Sequence, residues 1–351
     1  MKISLLNKAL RTLRHMGSVA HAAGIRINRP AKSVVQNNFD WEYYFELYPD
    51  LPQAGLKSKA DAIKHYTKRG FFEKRIVRVQ DKTLIASHEE TRLRQLKNIR
   101  LFSGQQHRLI RNDSYDRPIT VSVIITVYNY AAYIDACLKS VLNSTLKDIE
   151  IIIVNDASTD NPLPQCQAFF SCGVPITIVD KLTNTGVVHS RNLGIQQAKG
   201  DYVFILDADD EIYPVCLAEH LRTMRTNSSL IACYAVVDVY DASDTFCFQV
   251  SNKPFDKTKL LKGNYISVMA MFKRLELIAC GAYNEHLLEQ GTGYEDYELW
   301  LRLGQQDKSV GFIESPLSRC LRKQESLSAI AVRYYHIPIM SFLKRKYSMP
   351  L

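Results

Sequence analysis

Four short apolar runs constrain this chain more than any other feature: TVSVIITVYN (120–129), IEIIIVNDAS (149–158), PITIVD (175–180) and DYVFILD (201–207). Each is too short for an ordinary helix and apolar through its middle, the pattern of a strand buried on both faces. Between them lie YIDACLKSVLNST (133–145), residues 162–172 and GVVHSRNLGIQQAKG (186–200), which read as helices. Gly200 is expected to close the last of these as a left-handed cap. Strand and helix in strict alternation predict an α/β fold, a mostly parallel sheet covered on both faces. Ligands of such sheets bind beyond the carboxyl ends of the strands.

Polar residues gather at those ends. Strand one ends at Thr126 to Asn129, strand two at Asn155 and Asp156, and strand four runs into Asp207, Asp209, Asp210 and Glu211. Two unit charges about 4 Å apart repel by roughly 4 kcal/mol at an effective dielectric near 20. Clustered carboxylates therefore protonate, turn outward or share a cation. On an extended segment Asp207 and Asp209 point the same way. Two carboxylates plus substrate phosphates are what magnesium or manganese takes. Taken alone, the same residues also read as a solvated acidic turn.

The order of these pieces resembles glycosyltransferase family 2, inverting nucleotide-sugar transferases of the GT-A fold. VSVIITVYNYAAYIDACLKSVLNST is similar to the family's opening strand and helix. IEIIIVNDASTD is similar to its second strand and acidic turn, with Ala157 where the family has glycine. NTGVVHSRNLGIQQAKGDYVFILDADD is similar to its Asn-x-Gly, Arg-Asn and Asp-x-Asp series, and CGAYNEHLLEQGTGYEDYELWLRL to the segment ending in its Glu-Asp pair. The likeness covers about 118–328.

The resemblance implies a role for each matching residue. Asp156 would read the nucleotide base, with Thr126 near it. Asn184, Arg191 and Asn192 would border the nucleotide pocket, Arg191 pairing with a phosphate or with the acidic rim. Asp207 would lie near the ribose and the metal, and Asp209 would hold a Mn2+ or Mg2+ ion directly, with Asp210 behind. Asp296 would be the general base that takes the acceptor's proton, and Glu295 would contact acceptor or sugar. A helix N-terminus lowers a carboxyl's pKa, so burial must dominate for Asp296 to serve near neutral pH. Family members often place a histidine near the domain's end. CLRKQESLS (320–328) has Lys323 there instead, and Arg322 and Lys323 are the candidates for diphosphate contact. The processive members' Gln-x-x-Arg-Trp motif is missing, which favours transfer of one sugar or few.

The implied reaction is metal-dependent, inverting transfer from a nucleoside-diphosphate sugar, with a bias to UDP, onto a glycan or lipid-linked glycan in bacterial cell-surface polysaccharide synthesis. Two other readings stand beside it: a catalytically weak sugar-nucleotide or glycan-binding relative, and a nucleic-acid binder acting through the basic N-terminal third. No nucleic-acid motif supports the last, so no nucleic acid is expected as a partner.

Charge divides the chain. Residues 1–117 hold 23 Lys and Arg against 11 Asp and Glu, so the net charge of +9 belongs to this third. A basic flank suits an anionic surface or a solvated helical face. Residues 1–111 read as mainly helical, 112–117 as a linker, 118–328 as the GT-A domain and 329–351 as a basic, aromatic tail. Residues 81–111 are expected to be a polar, basic helix. FDWEYYFELYPDL and AIKHYTKRGFFEKR resemble a short helical module of some bacterial surface-polysaccharide glycosyltransferases. The tail suits either lipid headgroups or packing on its own domain. The start carries Lys8, Arg11 and Arg14 through every candidate apolar core, so it does not read as a secretory signal. Eight cysteines without C-x-x-C spacing read as reduced thiols. The expected location is cytoplasmic, with peripheral contact to the membrane's inner face.

Overall fold

The computed structural model describes residues 41, 45, 50–53, 55–65, 95, 107–112, 118–289, 293–322 and 336–347. The chain divides into two compact units, 1–81 and 82–351. In the first, helices α1 (Asp50–Gln53) and α2 (Lys59–His65) are joined through Gly55. Asp61 and Ser58 cap α2 reciprocally, the Ser58 hydroxyl donating to Asp61 Oδ2 at 2.7 Å and the Asp61 N–H to Ser58 Oγ at 3.2 Å. Apart from Trp41 and Phe45, the other residues of the N-terminal module, including Tyr66 and Arg75, lie outside the described residues.

The second unit is built on one ten-stranded sheet. Its strands are β1 (His107–Arg111), β2 (Val121–Val127), β3 (Ile149–Asn155), β4 (Ile176–Lys181), β5 (Tyr202–Asp207), β6 (Asp210–Ile212), β7 (Leu230–Tyr240), β8 (Phe246–Val250), β9 (Ala270–Lys273) and β10 (Ser309–Leu321). Helices α3 (Ala131–Leu142), α4 (Leu163–Gln167), α5 (Val187–Gln197), α6 (Cys216–Thr226), α7 (Lys257–Leu260), α8 (Arg274–Ala279), α9 (Glu295–Gln305) and α10 (His336–Tyr347) connect and cover them. The order is β1-β4-β3-β2-β5-β9-β7-β10-β6, with β8 on β7. The four strands expected from the sequence, β4, β3, β2 and β5, are adjacent and parallel.

Alternation along β2 shows why both faces are apolar. Val121, Val123, Ile125 and Val127 face one core with Ile134 and Leu138 of α3 and Leu217 and Met224 of α6. Ile124 faces the other with Leu193 of α5 and Leu299, Trp300 and Leu303 of α9. Each fully buried side chain of this size contributes about 1.5–3 kcal/mol. Gly194 lets α5 lie this close, because a Cβ there would come within 2.4 Å of Ile124 Cγ2.

Three expectations need correction. The segment expected to be helical up to 111 ends in strand β1, antiparallel to β4. Backbone pairing at an open sheet edge overrides local propensity there. Asn112 locks the pairing: its Nδ2 donates to Val174 O at 2.7 Å and its Oδ1 accepts from the Ile176 N–H at 2.8 Å. Gly200 is not a left-handed cap, since α5 ends at Ala198 with an extended backbone. Close approach requires the glycine instead: a Cβ would meet Ser122 N at 2.8 Å and Thr120 O at 2.9 Å. The helix expected over 162–172 is only five residues long.

The C-terminal segment resolves an open choice. Ile339, Leu343 and Tyr347 of α10 are buried in the core that contains α9. Lys346 Nζ reaches Glu298 Oε1 at 2.7 Å. This part of the tail packs on its own domain. All eight cysteines are free thiols, and no helix among the described residues is long and apolar enough to cross a membrane.

Candidate active site

The parallel strands β2, β3, β4 and β5 deliver their carboxyl ends to one rim. Thr126 and Asp207 are partners in the β2–β5 register, and Thr126 Oγ1 donates to Asp207 Oδ1 at 3.2 Å. Beyond the strand, exposure alternates: Asp207 and Asp209 are partly exposed, while Ala208 and Asp210 are buried. Ala208 and Asp209 form a turn, so the strand alternation expected from the sequence stops at Asp207. Tyr130 at the start of α3 registers the charge of Asp207 and Asp209. Burial raises its phenol pKa first, then Asp209 and Asp207 raise it further.

Arg191 sits at the centre of a buried ion network. It is 2% exposed. One terminal nitrogen donates to both oxygens of Asp207, at 2.8 and 3.0 Å, and the other to Glu295 Oε1 at 2.8 Å. Burial opposes the guanidinium charge, but the two carboxylates outweigh it and raise the pKa. Of the two partners open to Arg191 in the sequence, the acidic rim is the one it meets here. The ring of Tyr283 lies 5.3 Å away beneath the guanidinium. Asn192 pins that ring's backbone, accepting from the Tyr283 N–H at 2.9 Å and donating to the Tyr283 carbonyl at 2.9 Å.

Glu295 and Asp296 open α9. Asp296 Oδ1 accepts from the Tyr297 N–H at 2.8 Å and Oδ2 from Asn264 Nδ2 at 3.0 Å. Burial, followed by the Glu295 charge, pushes the Asp296 carboxyl up to about 7, against the lowering pull of Arg191 and these two donors. Burial dominates, as a base at a helix N-terminus requires.

Asp156 occupies a second cluster. Its Oδ1 accepts from Lys181 Nζ at 2.5 Å and from the Thr185 N–H at 2.9 Å, and its Oδ2 from the Gly186 N–H at 2.8 Å. Lys181 also donates to Ser190 Oγ at 3.0 Å and to Thr185 Oγ1. Three donors therefore hold the carboxylate in place at the end of β3. Asn184 Oδ1 accepts from Gln95 Nε2 at 2.6 Å. Arg322, at the end of β10, lies over the Phe248 ring at 5.9 Å. Lys323 lies outside the described residues.

The structure thus joins Thr126, Arg191, Asp207 and Glu295 in one network, with Asp296 next to Glu295 on α9 but bonded to Asn264, and with Asp156 and Asn184 in separate clusters. Sequence reasoning missed Lys181, Tyr130, Tyr283 and Asn264. Lys181 had a signal, since it closes a strand whose neighbours end in functional positions. Asn264 had none, lying in an irregular Gly-Asn-Tyr loop.

Among the described residues no three His, Cys, Asp or Glu side chains are grouped to hold a metal unaided. By donor chemistry Asp207 and Asp209 fit a hard divalent cation, offering two partly exposed carboxylates and leaving the remaining positions to phosphate and water.

Residues 122–275 match the model of glycosyl transferase family 2. Glu295 and Asp296 fall beyond the matched stretch. An uncharacterized glycosyltransferase of Haemophilus influenzae is 28% identical over 189 residues, covering 51% of this chain and 58% of that protein. The hyaluronan synthase of Pasteurella multocida is 29% identical over 204 residues, 57% of this chain and 20% of the synthase. The chain therefore spans less than two thirds of the length of either relative. Residues 1–349 of S. aureus TarS, in complex with UDP-GlcNAc, superpose with a TM-score of 0.50 at 17% identity, covering 66% of this chain and 73% of that one. The sheet order and the superposition agree on a GT-A fold, and within it residues 122–275 are similar to glycosyl transferase family 2.

Proposed function

We propose that the protein transfers a sugar from a nucleoside-diphosphate donor, a UDP-sugar, to a hydroxyl of a glycan or lipid-linked glycan, with inversion at the anomeric carbon. One observation carries the reading. The carboxyl of Asp296, raised to about 7 by burial and by the charge of adjacent Glu295, stands beside the Glu295–Arg191–Asp207 ion network. A base poised near the working pH removes a hydroxyl proton most effectively. Asp296 takes the acceptor's proton, and the freed oxygen bonds to the anomeric carbon from the face opposite the diphosphate. The bond to the diphosphate breaks, and the electron pair leaves with it. A magnesium or manganese ion held by Asp209 and Asp207 would supply positive charge to the departing diphosphate. Arg191 holds Asp207 and Glu295 in place, and Asp156 would accept from the nucleotide base.

The polysaccharide assignment draws on the similarity to hyaluronan synthase, and the UDP assignment on the fold shared with TarS. Arg322 and Lys323 are proposed for the diphosphate or acceptor. The domain limits 118–328 and a cytoplasmic site of action beside the membrane belong to the same reading.

A panel of UDP- and GDP-sugars with manganese, scored by nucleoside diphosphate release, tests it. Release from a UDP-sugar that is lost in both Asp209→Ala and Asp296→Asn is the expected result. Equal release by wild type and both variants would overturn the proposal.

A further inference from the structure

We propose that Asn264 is a positioning residue for Asp296: its side-chain amide, on a loop outside the helix that carries the base, fixes the carboxylate's rotation and favours its ionised form. This rests on Asp296 being the base.

Helix α9 places the backbone of Asp296 but leaves its carboxylate free to turn about the side-chain bonds. Two donors stop that rotation. The Tyr297 N–H holds Oδ1, and Asn264 Nδ2 holds Oδ2 at 3.0 Å. The orientation of the amide is determined by its other end, because Asn264 Oδ1 accepts from the Ile266 N–H at 3.1 Å. A flipped amide would turn a carbonyl towards a carboxylate and an NH2 towards an N–H, losing both bonds.

The loop beneath is held without Asn264. Ile266 is 2% exposed. The Tyr265 hydroxyl accepts from the Asp256 N–H at 2.8 Å and donates to Pro254 O at 3.0 Å. The Tyr265 carbonyl accepts from the Ser251 N–H at 3.1 Å, and the Ser267 N–H donates to Ser251 Oγ at 2.7 Å. Asn264 itself is exposed. An exposed side chain with both polar ends committed, one of them to the proposed base, has little to add to folding.

The chemistry of the donor matters as well as its place. Charged or titratable groups acting on Asp296 are Glu295 beside it on α9 and Arg191 on α5, and Tyr283 lies on the facing loop. A lysine at 264 would add a full positive charge and hold the carboxylate too acidic to serve as a base. A neutral amide steadies the ionised form modestly and leaves its basicity.

The test is titration of 13C-labelled aspartate by infrared difference spectroscopy in the full-length protein, with the Asp296 signal identified by its loss in Asp296→Asn. Asn264→Ala should raise the midpoint by about 0.5–1 pH unit. Asn264→Asp, which keeps the acceptor for Ile266 and the side-chain shape, should raise it further by adding a like charge. Melting temperatures should move little. In turnover of the UDP-sugar active in the panel, the acid limb of the pH profile should move with the titration. There kcat should fall roughly tenfold, with the donor KM unchanged. A midpoint unmoved in both variants overturns the proposal. Failure of the underlying reading looks different: Asp296→Asn would then turn over like wild type, whatever Asn264 does to the titration.

Discussion

Two carboxylates two residues apart on α9 behave in opposite ways. Glu298 is fully buried, and burial alone would raise its pKa. Arg302, Lys346 and the Tyr347 hydroxyl outweigh burial and hold it below the usual value. Asp296 receives neutral donors, Asn264 and a backbone N–H, beside the like charge of Glu295, and its pKa rises to about 7. Arg191, whose charge lowers that pKa, spends its terminal nitrogens on Asp207 and Glu295. A structural acid is surrounded by positive charge that keeps it ionised at any working pH. The proposed base is given hydrogen bonds and, among the described residues, no salt bridge, so its proton can come and go.

Exchanging the two acids for amides should separate these roles. Asp296→Asn should lower turnover by about 10²–10⁴-fold, the range for loss of a general base, while the protein stays folded. Glu298→Gln should do the reverse. It leaves Lys346 and Arg302 without their carboxylate and should cost about 3 kcal/mol in urea unfolding, with turnover per folded molecule largely kept.

The pH dependence of stability should carry opposite signs at the two positions. Glu298 stabilises above its unfolded value of 4.5, and that contribution is lost as pH falls through its lowered folded value. Asp296 binds a proton in the folded state that the unfolded chain releases near 3.8, so stability declines as pH rises from there to about 7. In Asp296→Asn, thermal unfolding between these limits should depend less on pH.

Glu295→Gln removes the like charge and frees Arg191. The acid limb of the pH–rate profile should then move down by roughly one unit. A limb that stays put or moves up would show that the charge of Glu295 does not raise Asp296.

The smallest effect lies away from α9. Ala157, where the family has glycine, sits at φ +56°. A left-handed conformation costs a residue with a Cβ roughly 1–2 kcal/mol. Ala157→Gly should therefore stabilise by about 1 kcal/mol, read as a rise in the urea midpoint without a change in slope.

The sequence by itself determined the central sheet and its active rim. Runs such as IEIIIV cannot be solvated, so they must be strands buried on both faces, and alternating helices make them parallel. Parallel strands bring their carboxyl ends to one side, which was enough to gather Thr126, Asp156 and Asp207 there. Only the tertiary structure decided what those residues touch. Arg191 and Glu295 are 104 positions apart, and Asn264 and Asp296 are 32 apart. No local pattern encodes which carboxylate receives a guanidinium and which an amide. Strand β1 is a strand because β4 offers an open edge, and Gly200 is a glycine because Ser122 and Thr120 come too close for a Cβ. Periodicity is a property of neighbours along the chain. The pKa of Asp296 is a property of neighbours in space, and folding alone brings them together.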